Sequence, residues 1–393
     1  MKNLNLSAYV ARIIQDVRKN GDKAVFKYLK KFDKVDLSRV GLRVSKKAID
    51  EAAKRVSPEL KKALKASYSN VLSFHKQENT NIKKSWFLNK KGVKTGQFYT
   101  CVESAGIYIP GGLYPYPSTV IMTAVPAKAA GVKRIVMVTP PGKMSDETLY
   151  AAKLCGVSEI YSVGGIMAVA ALAYGTKTIK KVDIIVGPGN AYVNEAKRQV
   201  FGAVGIDALA GPSEVAIIAD KGAPVKYIFA DLMAQVEHGN NSNAYLFCES
   251  SETIAKIKKL LPNNAKKLVK LEYASLDKAV EKVNKIAPEH LELLVKNPDS
   301  LLKKVKNAGA VFAGYQTPTA AGDYLAGPSH VLPTNTSAKF SSGLSVLTFL
   351  KRTSYTQMNK NYKQGYKEIA VFAGSEGMKY HKESALVRIG VKK

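Results

Sequence analysis

Residues 183–219 read DIIVGPGNAYVNEAKRQVFGAVGIDALAGPSEVAIIA, and this run decides how the rest of the chain is parsed. Asp183 to Val186 is a short apolar strand. It enters the turn Gly187-Pro188-Gly189-Asn190, and Tyr192 to Val200 follows with helical spacing. Glycine at such a turn lets backbone approach a ligand closely, and the helix N-terminus behind it favours an anionic group. After the GPSE segment at Gly211 to Glu214, Val215 to Ala219 opens another strand.

The same rhythm extends in both directions. Upstream, GIYIPGG is a strand entering Pro110-Gly111-Gly112, followed by a helix-like Val120 to Ala130. Strand Arg134 to Thr139 leads to helix Asp146 to Leu154, and strand Glu159 to Val163 enters Gly164-Gly165 and helix Met167 to Ala173. Downstream come helix Val225 to Val236, strand Ala244 to Cys248 and helix Glu252 to Leu260. Short apolar strands alternating with helices predict an α/β fold with largely parallel sheets. Two successive units of this style suggest an internal duplication, although no sequence repeat proves it. None of the Gly-rich turns is a GxGxxG; three of them at strand ends favour a ligand crevice of the doubly wound type. Residues 1 to about 100 read as mostly helical, with a break at Asn20-Gly21, and the chain from about Leu344 reads as a small separate element.

Bulk properties narrow the function classes. The chain has 393 residues, 46% hydrophobic and 23% charged, with 29 Gly and 16 Pro, a globular balance long enough for two domains. No apolar stretch approaches the ~18 residues of a membrane span, and the N-terminus lacks the apolar core of a signal peptide. Cys101, Cys155 and Cys248 show no CxxC spacing, which argues against a disulfide framework or thiolate metal cluster and for a cytoplasmic location. The net charge of +29 invites a nucleic-acid reading. The lysines, however, are spread as pairs such as Lys30-Lys31, Lys61-Lys62 and Lys258-Lys259, and the Gly-rich region is not unusually basic. A solvated surface is the better account; no membrane and no specific nucleic acid are expected as partners.

Four of the five His residues fall in the second half, in AQVEHGN, APEHLEL, AGPSHVLPT and EGMKYH. Gln235 and His238, three apart at a helix end, can converge on one ion. Asp323 would add a carboxylate and His381 a second imidazole, an N/O set suited to zinc or manganese. Glu289-His290 supplies adjacent proton-transfer groups. A plainer reading has Glu289 begin a helix containing Leu291 and Leu293, with His290 its partner.

Taken together, IYIPGG with YPSTVIMTAVPAKAAGV, VGG with AVAALAYGT, and the long run DIIVGPGNAYVNEAKRQVFGAVGIDALAGPSEV resemble histidinol dehydrogenase. So do ADLMAQVEHG, IAPEHLEL, AGDYLAGPSHVLPT, KFSSGLSVLTFLK and EGMKYH, with weaker likeness back to IIQDVRKNGDKAV and KFD. The resemblance implies two incomplete Rossmann-like domains with small helical N- and C-terminal accessory elements in an intertwined homodimer. It implies a division into 1–106 with 216–343, 107–215 and 344–393. It makes Gln235, His238, Asp323 and His381 the ligands of one zinc, the last from the partner subunit. These four, with Ser213, His290 and Glu376, would contact L-histidinol, and Tyr108, Met167 and Asn190 match NAD-contacting positions. Glu289 and His290 become the catalytic pair of a four-electron oxidation to L-histidine, in histidine biosynthesis.

Three departures stand out. Met167 replaces a common Gln, Thr319 replaces a common Glu, and the N-terminus begins some twenty residues late. The first two leave open a zinc- and NAD-dependent relative acting on another small alcohol, such as a sulfonated diol. A basic nucleic-acid-binding or scaffold protein is a remote third reading, and it gives the acid–base pair and proposed ligands no reason to occur together.

Overall fold

Asn5 caps the first helix, α1 (Leu6–Asn20), by accepting the N–H groups of Ser7 and Ala8, and Gly21 ends it at φ +53°. Val10, Ile13, Ile14 and Val17 recur at helical spacing and are all buried, which commits one face of α1 to a core. The computed structural model describes residues 5–82, 85–111, 115–142, 144–239 and 241–391. Helices α2 (Asp22–Tyr28), α3 (Lys46–Arg55) and α4 (Pro58–Asn81) follow, then strands β1 (Ser85–Lys90) and β2 (Val93–Cys101).

The chain divides into two compact units, Met1–Asn79 with Val102–Phe349, and Thr80–Cys101 with Leu350–Lys393. The larger holds two five-stranded sheets in which every pairing is parallel. The first is built from β3 (Ser104–Tyr108), β4 (Arg134–Thr139), β5 (Glu159–Ser162), β6 (Ile184–Val186) and β7 (Gly205–Ile206), interleaved with α5 (Pro117–Ala130), α6 (Asp146–Cys155), α7 (Gly165–Tyr174) and α8 (Ala191–Val200). The second uses β8 (Glu214–Ala219), β9 (Asn243–Cys248), β10 (Val269–Tyr273), β11 (His290–Leu294) and β12 (Ala310–Ala313), with α9 (Val225–Val236), α10 (Ser251–Leu260), α11 (Leu276–Ile286) and α12 (Pro298–Leu302). A short α13 (Thr319–Tyr324) comes after β12.

The strand orders are β5-β4-β3-β6-β7 and β10-β9-β8-β11-β12. In each sheet the first strand is central, the second and third lie to one side, and the fourth and fifth to the other. The duplication that the sequence only suggests is therefore explicit in the topology. Strands β3, β6, β8 and β11 are buried throughout, as central parallel strands covered on both faces must be. Helix α1 packs on α7 and α8, and α3 on α6, so the N-terminal helices cover the first sheet, a grouping different from the one drawn with 216–343.

Two expectations are corrected. Residues 85–101 are strands, not part of a helical region. Lys90 pairs with Val93 across a two-residue turn in which Lys91 and Gly92 both have positive φ, the backbone that a tight hairpin demands. Likewise Glu289 begins no helix. Residues 290–294 form β11, because HLELL is buried on both sheet faces.

The smaller unit is the antiparallel sheet β1-β2-β13, with β13 spanning Leu350–Met358, and the paired helices α14 (Lys363–Ser375) and α15 (Lys379–Leu386). Tyr366, Ala370 and Ala385 form their small core. Among the described residues, no helix is long and apolar enough to cross a membrane.

Candidate active site

The strand order of the first sheet reverses between β3 and β6, and chain leaving the carboxyl ends of these strands opens a crevice there. Gly187 stands in it at φ +114°, where a Cβ would lie 2.4 Å from the Tyr108 carbonyl oxygen. The buried Lys197 ammonium donates to the Gly187 carbonyl (3.0 Å) and pairs with Asp207, whose other oxygen accepts the Gly187 N–H (2.7 Å). Asn190 caps α8 through the Tyr192 and Val193 N–H groups. Asn194 donates to the carbonyls of Gly189 (3.0 Å) and Ala210 (2.7 Å), joining the GPGN turn to the segment that runs into β8. Replacing Gly187 by alanine is expected to destabilise the protein by about 1–3 kcal/mol or more and to weaken binding of an anionic ligand at the turn. Thermal melts and ligand titrations on the variant check both.

The opposite wall comes from the amino edge of the second sheet, where His290 is level with Val215 in the β8–β11 pairing. Just before it, Ala287 takes φ +51° at the end of α11 and turns the chain into Pro288-Glu289. Glu289 Oε2 accepts from the Ser213 hydroxyl (2.6 Å) and the Glu214 N–H (3.1 Å). His290 Nδ1 lies 3.2 Å from the Glu214 carbonyl oxygen. That oxygen can only accept, so Nδ1 carries the proton and Nε2 is left as the basic nitrogen. Nε2 is 3.8 Å from Asp323 Oδ1. Burial, reinforced by the Glu289 charge, pushes the Glu214 carboxyl above its ordinary range.

His330 joins this group, although no role was assigned to it from sequence. Its Nδ1 donates to the Asp323 backbone oxygen (3.1 Å) and also lies 3.8 Å from Asp323 Oδ1. Its Nε2 is 3.4 Å from the Thr119 hydroxyl. Burial lowers its pKa and favours neutral imidazole, against the pull of the Asp323 charge. Its setting in GPSHVLPT was visible in the sequence, but its distance to Asp323 is a three-dimensional fact.

The two edges enclose a cleft of about 310 Å³, lined among others by Pro110, Thr119, Pro188, Gly189, Ser213, His238, Glu289, His290, Asp323 and His330. Gln235 is buried at the end of α9, and its Nε2 has no hydrogen-bond partner. This orphaned atom, one residue from the end of α9, is a donor and calls for an acceptor; a cation would be met by the oxygen of the same amide. Among the described residues, no three His, Cys, Asp or Glu side chains are grouped so as to hold a metal. The expected set has His238 and Asp323 in this unit, Gln235 as an amide, and His381 on α15 of the smaller unit. His381 and Glu376, at the end of α14, are both exposed.

The structure does not bring every expected cofactor contact to the cleft. Tyr108 is buried, accepts the Gly165 N–H (3.0 Å) on its hydroxyl oxygen, and has its pKa pushed up to about 12 by burial. Met167, 2% exposed, sits in the core behind the first sheet and offers no surface to a dinucleotide. Asn190 is exposed at the turn. Gly112 lies outside the described residues. Thr319 is buried and does not line the cleft.

Comparison with known proteins gives this geometry a family. The family model described as histidinol dehydrogenase matches residues 1–389. The chain belongs to the histidinol dehydrogenase family. It is 45% identical to a histidinol dehydrogenase of Thermosynechococcus vestitus over 402 residues, covering 97% of this chain and 92% of that one. It is also 45% identical to the histidinol dehydrogenase of Rhodospirillum rubrum over 399 residues, with 97% and 91% covered. A crystal structure of histidinol dehydrogenase from Elizabethkingia anophelis superposes with a TM-score of 0.92 at 35% identity, over 99% of this chain and 93% of that chain. The family resemblance read from the motifs thus holds along nearly the whole chain, through the segments containing Met167 and Thr319.

Proposed function

We propose that the cleft oxidises L-histidinol to L-histidine in two successive steps, each passing a hydride to NAD. The observation that carries this reading is the Glu289–His290 pair at the amino edge of the second sheet, facing His238 and Asp323. In the first step His290 Nε2 takes the hydroxyl proton as the carbinol carbon loses hydride, leaving an aldehyde. Glu289 then removes a proton from water as its oxygen adds to that aldehyde, and the protonated His290 returns its proton to the carbonyl oxygen. His290 takes a hydroxyl proton of the resulting diol as the second hydride leaves. Ser213 and the Glu214 N–H hold Glu289 in place for this task.

Gln235, His238, Asp323 and His381 of the partner subunit would hold zinc, which supplies a fixed positive charge that orients the imidazole and amine of the substrate. Ser213 of this cleft, with Glu376 of the partner subunit, completes the substrate contacts. Asn190 and the GPGN turn receive the dinucleotide. A homodimer is supported by the smaller unit itself, where Ile369, Val371, Phe372, Met378 and Tyr380 are 42–75% exposed on and beside α14, an apolar set that one copy leaves uncovered.

The test is the yield of NADH per L-histidinol with zinc-loaded protein and excess NAD. Two NADH per alcohol, lost on chelation and restored by zinc, is the expected result. None from a folded, zinc-containing dimer would overturn the assignment and direct attention to other small alcohols. Glu289→Gln is expected to slow the second oxidation at least ~100-fold while sparing the first, because an amide cannot take the proton from water. The yield within one assay window then falls towards one NADH per alcohol, with aldehyde trapped by a hydrazine. An unchanged yield at an unchanged rate would remove Glu289 from the reaction.

A further inference from the structure

A buried cation beside the GPGN turn takes no part in this chemistry. Lys197 is on α8, ten residues after Gly187, and its side chain is 1% exposed. Helical side chains lean towards the helix N-terminus, and this one carries its ammonium back to the turn that precedes α8. There it donates to the Gly187 carbonyl at 3.0 Å and pairs with Asp207, whose side chain is 5% exposed. The second Asp207 oxygen accepts the Gly187 N–H at 2.7 Å. Asp207 directly follows β7, and its own N–H donates to the Ile185 carbonyl of β6 at 3.3 Å. The ends of β6 and β7 and the body of α8 are thus closed into one ring of hydrogen bonds around a single residue.

The ring fixes which groups the turn offers. Gly187 stands at φ +114°, and a glycine resists rotation of its flanking peptides less than any other residue. Turned over, the 187–188 peptide would take its carbonyl oxygen off Lys197 and out towards the cleft that Pro188 and Gly189 line. The Gly189 carbonyl is likewise occupied by the Asn194 side chain, and the Asn190 carbonyl by the Asn194 N–H. Pro188 has no N–H. Among the described residues, nothing accepts from the N–H groups of Gly189 and Asn190. The turn keeps these oxygens engaged and these donors free, the polarity that an anion needs. Lys197 is not itself the anion's partner, because its charge is matched by Asp207 and shut away from solvent.

We propose that Lys197 and Asp207 are positioning residues for the cofactor, locking both sides of Gly187 so that the GPGN turn is preset to receive a dinucleotide phosphate. This rests on the reading above that the turn receives NAD. A preset turn gives up little freedom on binding, so breaking the lock lowers affinity without removing any contact to the ligand.

The test reads NADH affinity by fluorescence titration, melting temperature, and hydrogen exchange by mass spectrometry, each on the full chain. Asp207→Asn leaves an oxygen for the Gly187 N–H and leaves Lys197 donating to the carbonyl. It is expected to melt lower, since the ammonium loses its counter-charge, with NADH affinity within about threefold of the parent. Lys197→Met combined with Asp207→Asn removes the donor to the carbonyl, keeps the acceptor for the N–H and leaves no buried charge. It therefore folds even where Lys197→Met alone does not. It is expected to weaken NADH ~10-fold, the loss for a turn in its competent form a tenth of the time. Exchange should quicken in residues 187–191 while β8 and β11 stay as protected as in the parent. The double change removes one charge of each sign, so such a loss cannot come from net attraction. A folded double variant with the parent's NADH affinity would overturn the proposal. So would an Asp207→Asn protein that binds NADH as poorly as the double variant, or exchange quickened throughout both sheets, the mark of general loosening. Asn190→Asp locates the cofactor: its carboxylate still caps α8 but sets a negative charge at the turn, and NADH is expected to weaken ~10-fold. Unchanged NADH affinity in that protein would move the dinucleotide elsewhere, and this inference would fall with that reading. Weakening there, with none in the double variant, sinks this inference alone.

Discussion

Changing His290 to asparagine is expected to lower kcat for NADH formation from L-histidinol by ~10²–10⁴, the worth of a positioned general base. The substitution is chosen for what it keeps. The asparagine amide can still donate towards the Glu214 carbonyl, which now accepts from His290 Nδ1 at 3.2 Å. What disappears is Nε2, the one nitrogen of that ring left free to take a proton. His290 is 5% exposed in the described chain, so the fold must be checked alongside activity. A melting temperature and zinc content close to the parent, with the rate lost in both half-reactions, would assign the loss to proton transfer. A kcat within tenfold of the parent would place the base elsewhere, with His330 next to be examined because it too approaches Asp323.

Mixing two inactive proteins should restore activity if the site is shared between subunits. One carries His290→Asn and the other His381→Ala. In a mixed dimer, one site combines an intact cleft with an intact C-terminal tail, and the other collects both defects. Random exchange of equal amounts makes half the dimers mixed, so about a quarter of all sites are whole and about a quarter of parent activity returns. Each protein alone should remain at its own background. Native mass spectrometry establishes whether mixed dimers have formed. Mixed dimers without recovered activity would rule out a ligand exchanged across the dimer axis.

How far the sequence was legible varied with the physics of each segment. Arg134 to Thr139 and Val225 to Val236 were placed to the residue because apolar runs and helical periodicity are strong local signals. Residues 85–101 were missed because β1 is exposed throughout and β2, mostly half-buried, alternates weakly; the Lys91-Gly92 turn was the available signal. Glu289 to Leu294 was ambiguous since a short apolar run fits either a buried strand or a helix until its neighbours are known. The duplication left no repeat in the residues, because packing constrains strand order more tightly than side-chain identity. At the site, Glu289, His290, His238 and Asp323 were legible through family motifs, and the structure places all four on one cleft.

The cleft's two walls come from opposite ends of equivalent sheets: the carboxyl edge of one and the amino edge of the other. Had both halves served it with the same edge, alcohol and dinucleotide would compete for the same kind of turn. Instead the chain offers two separate grips, one of glycine backbone and one of acid and imidazole side chains. A molecule held by one grip need not let go when the other opens. Such a layout suits a reaction that must be run twice on the same carbon, since the spent carrier can be replaced while the half-finished product stays in hand.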